Sequence, residues 1–231
     1  MKTLRRIILT SAMAVLTVGI SSANTIAGTC TGGTSPTELN INAGCSKFNT
    51  NLGSLNFITL TINGSIAGTI SLTNNSSTTQ TVKGTTTSDL FLNTTLAGFA
   101  GLTSGADLAT LSFTTGFQPI APGGTFTSGT LNSGVGSTGA VTNTTTGTFG
   151  TYSSAGGAGV YNFNLTTISG FTVTGGGGFI SSSQTTNGTV SATVSYDYTV
   201  PAVGGVPEPA TMALMGSALL GLGLVRRKVT K

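Results

Sequence analysis

Apolar and polar residues alternate along much of the chain with a period of two. Ile58, Leu60 and Ile62 interleave with Thr59 and Thr61, and after Asn63-Gly64 the pattern resumes on Ile66, Gly68, Ile70 and Leu72. This period places successive side chains on opposite faces of a strand, and Asn-Gly is favoured in tight hairpin turns. The stretch is therefore expected to form two antiparallel strands joined at residues 63–64, with one buried face. Residues 74–77, Asn-Asn-Ser-Ser, supply the next turn, and residues 79–87 with 90–92 read as a further strand. Tyr161, Phe163 and Leu165, then Phe171 and Val173, carry the same signature as far as four glycines at 175–178. The clearest strand spans residues 189–200: Val190, Ala192, Val194, Tyr196, Tyr198 and Val200 point one way, and Ser191, Thr193, Ser195, Asp197 and Thr199 the other.

The segments between are less decided. Residues 96–111 admit either a short helix, against the cost of Gly98, Gly101 and Gly105, or a loop leading into a strand at 108–114. Pro119 and Pro122 mark residues 118–124 as a break. Residues 128–159 are almost wholly Gly, Ser, Thr and Ala, which predicts a long flexible loop or a few exposed strands of low register specificity.

Both ends depart from this pattern. Residues 1–23 carry Lys2, Arg5 and Arg6, an apolar centre and small residues at 21 and 23, the order of a secretory signal peptide cleaved after Ala23. The last stretch runs Pro207-Glu208-Pro209, then an apolar run over residues 212–225, then Arg226, Arg227 and Lys228. As a helix that run is marginal for a permanent membrane span and adequate for a temporary one, with the basic cluster held on the cytoplasmic side. The division expected is a signal peptide over 1–23, a Thr/Gly/Asn-rich domain over 24–203 and a sorting and membrane tail over 204–231.

Charge and composition narrow the body's chemistry. The net charge is +4, yet seven of the nine Lys and Arg residues lie in the two ends, leaving Lys47 and Lys83 against Glu38, Asp89, Asp107 and Asp197. The clustered cations of a nucleic-acid surface are missing, so no nucleic-acid partner is expected. There is no histidine, which removes the commonest acid-base side chain and metal ligand; no catalytic residue, metal or cofactor is assigned. Cys30 and Cys45 are the only cysteines, and in an exported chain they are expected to form one disulfide.

The ending resembles the PEP-CTERM sorting domain of exported proteins in Gram-negative bacteria that make extracellular polysaccharide. The resemblance implies that Pro207, Glu208 and Pro209 are read by exosortase, a membrane-embedded cysteine protease-transferase thought to remove the tail and to release or re-anchor the product. Upstream, Phe48, the Leu-Gly-x-Leu step at residues 52–55 and Asn74 resemble the opening of the choice-of-anchor E domain, a β-rich module found ahead of such tails, and residues 194–198 suit its final strand.

The fold expected is all-β: an antiparallel β-sandwich, jelly-roll-like or Ig-like, with an N-terminal signal helix and a C-terminal membrane helix. The function expected is that of a surface or matrix protein, with exosortase, the export machinery and exopolysaccharide as partners. Its destination is the inner membrane transiently, then the cell surface, outer membrane or extracellular matrix. A sugar-binding or adhesive module is the second reading, with Tyr152, Tyr161, Tyr196 and Tyr198 as stacking candidates, of which alternation favours the core for the last two. A glycoside hydrolase acting through two of Asp89, Asp107 and Asp197 is the third, although no local motif pairs them.

Overall fold

The computed structural model describes residues 22–201 and 214–220. The strands, in chain order, are β1 (Ala23–Gly28), β2 (Gly33–Pro36), β3 (Asn40–Ser46), β4 (Phe48–Asn49), β5 (Ser54–Asn74), β6 (Gln80–Leu92), β7 (Ala106–Thr114) and β8 (Gln118–Ile120). There follow β9 (Thr125–Thr127), β10 (Leu131–Asn132), β11 (Gly136–Ser137), β12 (Val141–Asn143), β13 (Ser153–Ser154), β14 (Val160–Gly175) and β15 (Ile180–Thr199). One sheet has β1 and β2 along one side, then β15, then β5, then β9–β12; the other runs β3, β14, β6, then β7 and β8. Counted as eight columns in chain order, these are 1-8-3-6 and 2-7-4-5, the winding of a jelly roll. Ala23–Val200 form one compact unit.

The hairpin expected at residues 63–64 does not form. β5 is one strand of 21 residues, and its even-numbered positions from Ile58 to Asn74 face the core on both sides of Gly64. A two-residue turn would pair residue 62 with 65 and send Ile66, Ile70 and Leu72 to the face opposite Ile58, Leu60 and Ile62. Unbroken parity keeps all six buried. Gly64 serves packing instead, since a Cβ there would stand 2.8 Å from Leu90 Cδ2. The reversal comes at the second glycine run, where Gly175, Gly176, Gly177 and Gly178 all have positive φ between β14 and β15.

The core lies between the sheets in two apolar clusters, one around Ile58, Leu60, Leu92, Phe163 and Tyr196, the other around Ile66, Ile70, Leu72, Val82 and Phe113. Buried Thr86, Ser88, Thr167 and Thr186 belong to neither cluster. Thr86 donates across to Gln184 Oε1, the Ser88 and Ser169 hydroxyls meet at 3.0 Å, and Thr167 Oγ1 accepts from Leu39 N–H, whereas the buried Thr186 hydroxyl has no protein partner among the described residues.

Residues 96–111 contain no helix: hydrogen-bonded turns lead into β7, which includes the expected 108–114 strand. Residues 118–120 are not a break but an edge strand, β8, paired with β6, where Pro119 is tolerated because an edge strand has N–H positions outside the ladder. Residues 128–159 hold the short, partly exposed strands of the second alternative, β10–β13, with β10–β12 in a defined register on β5. Residues 125–144 form four five-residue steps, Thr-Phe-Thr-Ser-Gly, Thr-Leu-Asn-Ser-Gly, Val-Gly-Ser-Thr-Gly and Ala-Val-Thr-Asn-Thr, laid along β5.

Phe126, Leu131, Gly136 and Val141 pair with Leu72, Gly68, Gly64 and Leu60, so five edge residues match four of β5 and one bulges out at each step. At the first three steps a hydroxyl takes over the ladder. Ser128, Ser133 and Thr138 donate their backbone N–H to the carbonyls of Ile70, Ile66 and Ile62 at 2.9, 2.9 and 3.0 Å. Their hydroxyls accept from the N–H groups of the same three isoleucines at 2.9, 3.0 and 3.1 Å. The same two-way clamp joins Thr115 to Gly84, Thr31 to Gly44 and Thr167 to Leu39. Much of the serine and threonine content thus satisfies backbone groups that a bulged or terminating strand would leave bare.

Candidate functional site

The residues expected to direct sorting, Pro207, Glu208, Pro209, Arg226, Arg227 and Lys228, lie outside the described residues, as does the signal segment up to residue 21. Of the tail, residues 214–220 are helical and expose Leu214, Met215, Leu219 and Leu220. Among the described residues no helix is long and apolar enough to cross a membrane. Ala23 opens β1 opposite Thr199 of β15, so cleavage after it would leave Asn24 opposite Tyr198 as the first ladder pair.

Cys30 and Cys45 form the expected disulfide. Its place explains its use. β1 pairs with β15 of the first sheet, and residues 29–31 then cross to β3 of the second, with Thr31 N–H donating to Gly44 O at 2.7 Å and Ser46 N–H to Thr29 O at 2.8 Å. The bridge therefore joins the two sheets along one long edge of the sandwich.

All four tyrosines belong to the interior, which corrects the assignment of Tyr152 and Tyr161 as sugar-stacking residues. Tyr152 donates to Ala97 O at 2.8 Å, and its ring meets Phe99 and Tyr161 edge-on at 5.4 and 4.8 Å. Tyr196 donates to Ser46 O across the disulfide edge, and Phe48 packs against both Tyr196 and Tyr198. Burial pushes the Tyr152 and Tyr196 hydroxyls up to about 12; Tyr161 is raised by burial first and by the Tyr196 hydroxyl beside it second.

The two outer faces present different chemistry. Along the first sheet, β5 and β15 set hydroxyls opposite one another, Thr73 with Ser181, Ser71 with Ser183, Thr69 with Thr185 and Thr61 with Thr193. Of these pairs Thr69 and Thr185 bond to each other at 2.8 Å, while Ser71 and Thr73 bond instead to Thr127 and Thr125 of β9 at 3.2 and 2.9 Å. At one end Asp197 accepts from Asn56 Nδ2 at 2.7 Å.

The second sheet's outer face carries amides instead. Asn164 Nδ2 donates to Asn40 Oδ1 at 2.7 Å and Asn42 Oδ1 at 3.0 Å, while Asn93 Nδ2 donates to Asn164 Oδ1 and Thr166 Oγ1, both at 2.9 Å. In the next row Asn40, Thr166, Phe91 and Asp107 stand side by side, and beyond them Ile168 opposes Asp89. Asp89 and Asp107 thus share this open face, whereas Asp197 lies on the other sheet. Among the described residues no three acidic or cysteine side chains gather as a metal site. Neither the amide row nor Phe91 stood out in sequence, because the residues come from three strands distant in the chain.

Comparison with known proteins adds one decisive match. Residues 205–228 match the PEP-CTERM protein-sorting motif. The motif implies exosortase as processing partner, and with it export and surface display in a Gram-negative bacterium. Among curated proteins nothing matches the chain. Among solved structures, that of the infectious bursal disease virus Gx strain aligns at 10% identity with a TM-score of 0.13, over 88% of this chain and 48% of that one, so the chain spans about half its length. A likeness that slight carries no weight for the fold.

Proposed function

We propose that the chain is a structural protein of the cell surface or extracellular matrix, cut within the Pro207-Glu208-Pro209 region by exosortase and left in contact with neutral exopolysaccharide. The observation that carries this is the sorting motif at residues 205–228 behind a body with two cations and four carboxylates. A surface covered in hydroxyls and amides exchanges hydrogen bonds with sugar hydroxyls at little electrostatic cost. The body is of the choice-of-anchor E kind on this reading. Phe48, at the disulfide edge, and Asn74 are both buried; Asn74 Nδ2 donates to the carbonyls of Thr78 and Ile120 at 2.8 and 2.9 Å, holding the turn after β5.

Mass spectrometry of the protein recovered from the cell surface tests the reading. The expected product ends near Pro207–Pro209 and lacks Arg226, Arg227 and Lys228. A surface product that still carries residues 225–231 would overturn processing.

A further inference from the structure

We propose that the outer face of the second sheet, where β3, β14 and β6 meet, is a binding subsite for a neutral sugar, with Phe91 as its floor and the Asn40, Asn42 and Asn93 amides as its rim. The inference rests on the polysaccharide reading above and names where that contact is made.

The hydrogen-bond inventory supports it. Asn164 commits both Nδ2 hydrogens to Asn40 and Asn42, and Asn93 commits both of its own to Asn164 and Thr166. The carboxamides of Asn40, Asn42 and Asn93 are thereby fixed at one end. Among the described residues no protein acceptor takes the Asn40 or Asn42 Nδ2 hydrogens and no donor reaches Asn93 Oδ1, and all three residues are exposed. Two oriented donors and one oriented acceptor, held in place before any ligand arrives, complement a vicinal diol, in which each hydroxyl both gives and takes a hydrogen bond.

The adjacent row supplies the apolar component. Phe91 is half-buried on the same face beside Thr166, and Ile168, 60% exposed, lies one row on. A half-buried ring with one open face suits the C–H face of a pyranose, and Asp107, opposite Phe91, adds a carboxylate acceptor at the margin. The first sheet's outer face lacks this combination. Its Thr69, Ser71 and Thr73 hydroxyls are paired with Thr185, Thr127 and Thr125, and Phe57, which lies in register with Asp197, is set apart from those rows. The occupant is accordingly an uncharged hexopyranose segment of a polymer; an anionic glycan would meet Asp89 and Asp107 with no compensating cation in the row.

The test uses the full chain, with extracellular polysaccharide purified from the producing bacterium immobilised on a biosensor. Phe91→Ala and Asn42→Ala are expected to weaken binding at least about tenfold each, and Thr185→Ala on the opposite face to leave it unchanged, with thermal melting confirming that every variant is folded. Wild-type binding that survives both substitutions in folded protein would overturn the subsite while leaving the polysaccharide reading intact. No wild-type binding would overturn both. Binding that is lost in 0.5 M salt would point to an anionic ligand and would overturn the neutral-sugar assignment.

Discussion

The two long edges of the sandwich are closed in opposite ways. On one, residues 29–31 cross between the sheets, Cys30 is bonded to Cys45, the Tyr196 hydroxyl donates to Ser46 O, and Phe48 packs on Tyr196 and Tyr198. On the other, the four short strands β9–β12 follow β5, pinned by Ser128, Ser133 and Thr138, while Leu111 from the facing sheet reaches within 2.6 Å of where a Cβ on Gly136 would sit. One edge uses a covalent bond and large rings, the other small hydroxyls and absent side chains. A sheet edge needs its backbone groups satisfied and its template blunted. A bulge every fifth residue with a hydroxyl in place of the carbonyl does both with residues no larger than threonine, and this accounts for a Ser/Thr/Gly-rich segment being ordered.

The largest effect is expected at the first edge. Cys30→Ser with Cys45→Ser removes a cross-link over 15 residues and should cost roughly 3 kcal/mol by the loop-entropy model, read as a fall in the denaturation midpoint of the oxidised wild type against the double variant. A loss below about 1 kcal/mol would mean that the aromatic packing holds this edge alone.

Alkaline titration separates the edges by a different property. Tyr196 keeps its proton to about 12 in the folded protein and to about 10 when unfolded. Its contribution is therefore complete below pH 10 and falls as pH rises from about 10 to about 12. Ionisation also removes the donor to Ser46 O, so hydrogen exchange near Ser46 should accelerate in that window, while the amides of Ile62, Ile66 and Ile70 should follow only global unfolding. Tyr196→Phe should reduce the alkaline dependence.

The residues also explain what could be read in sequence. Period-two alternation located β5, β6, β14 and β15 because each buries one face, and the disulfide followed from two cysteines in an exported chain. The long β5 was misdivided because Asn63-Gly64 matches a local turn signal, while parity, which relates Ile62 to Ile66, is a non-local property that contradicts the turn. The five-residue repeat over 125–144 was hidden because its periodic element is a hydroxyl acting on another strand's backbone, and Ser and Thr are common throughout. The amide row was hidden for the same reason: Asn40, Asn93 and Asn164 become neighbours only after β3, β6 and β14 align. The sorting tail was legible without any fold, since its order of triplet, apolar run and basic cluster is carried by adjacent residues.

The smallest effect expected is at the clamped edge, and it tests whether the hydroxyls act individually. Ser133→Ala removes the acceptor for the Ile66 N–H but leaves the Ser133 N–H to Ile66 O bond in place, so the loss should be about 1 kcal/mol, the value of one hydrogen bond in a part-buried position. Ser137→Ala, one residue before the next clamp and on the outer face of β11, should cost only a few tenths, because its hydroxyl accepts from Gly139 N–H at an exposed site and holds no ladder group. Ser133→Thr should keep wild-type stability, since Thr138 performs the same role on Ile62. Equal losses for Ser133→Ala and Ser137→Ala would show that the bulged edge is held by its backbone bonds alone, and the contrast between the two edges would then reduce to the disulfide.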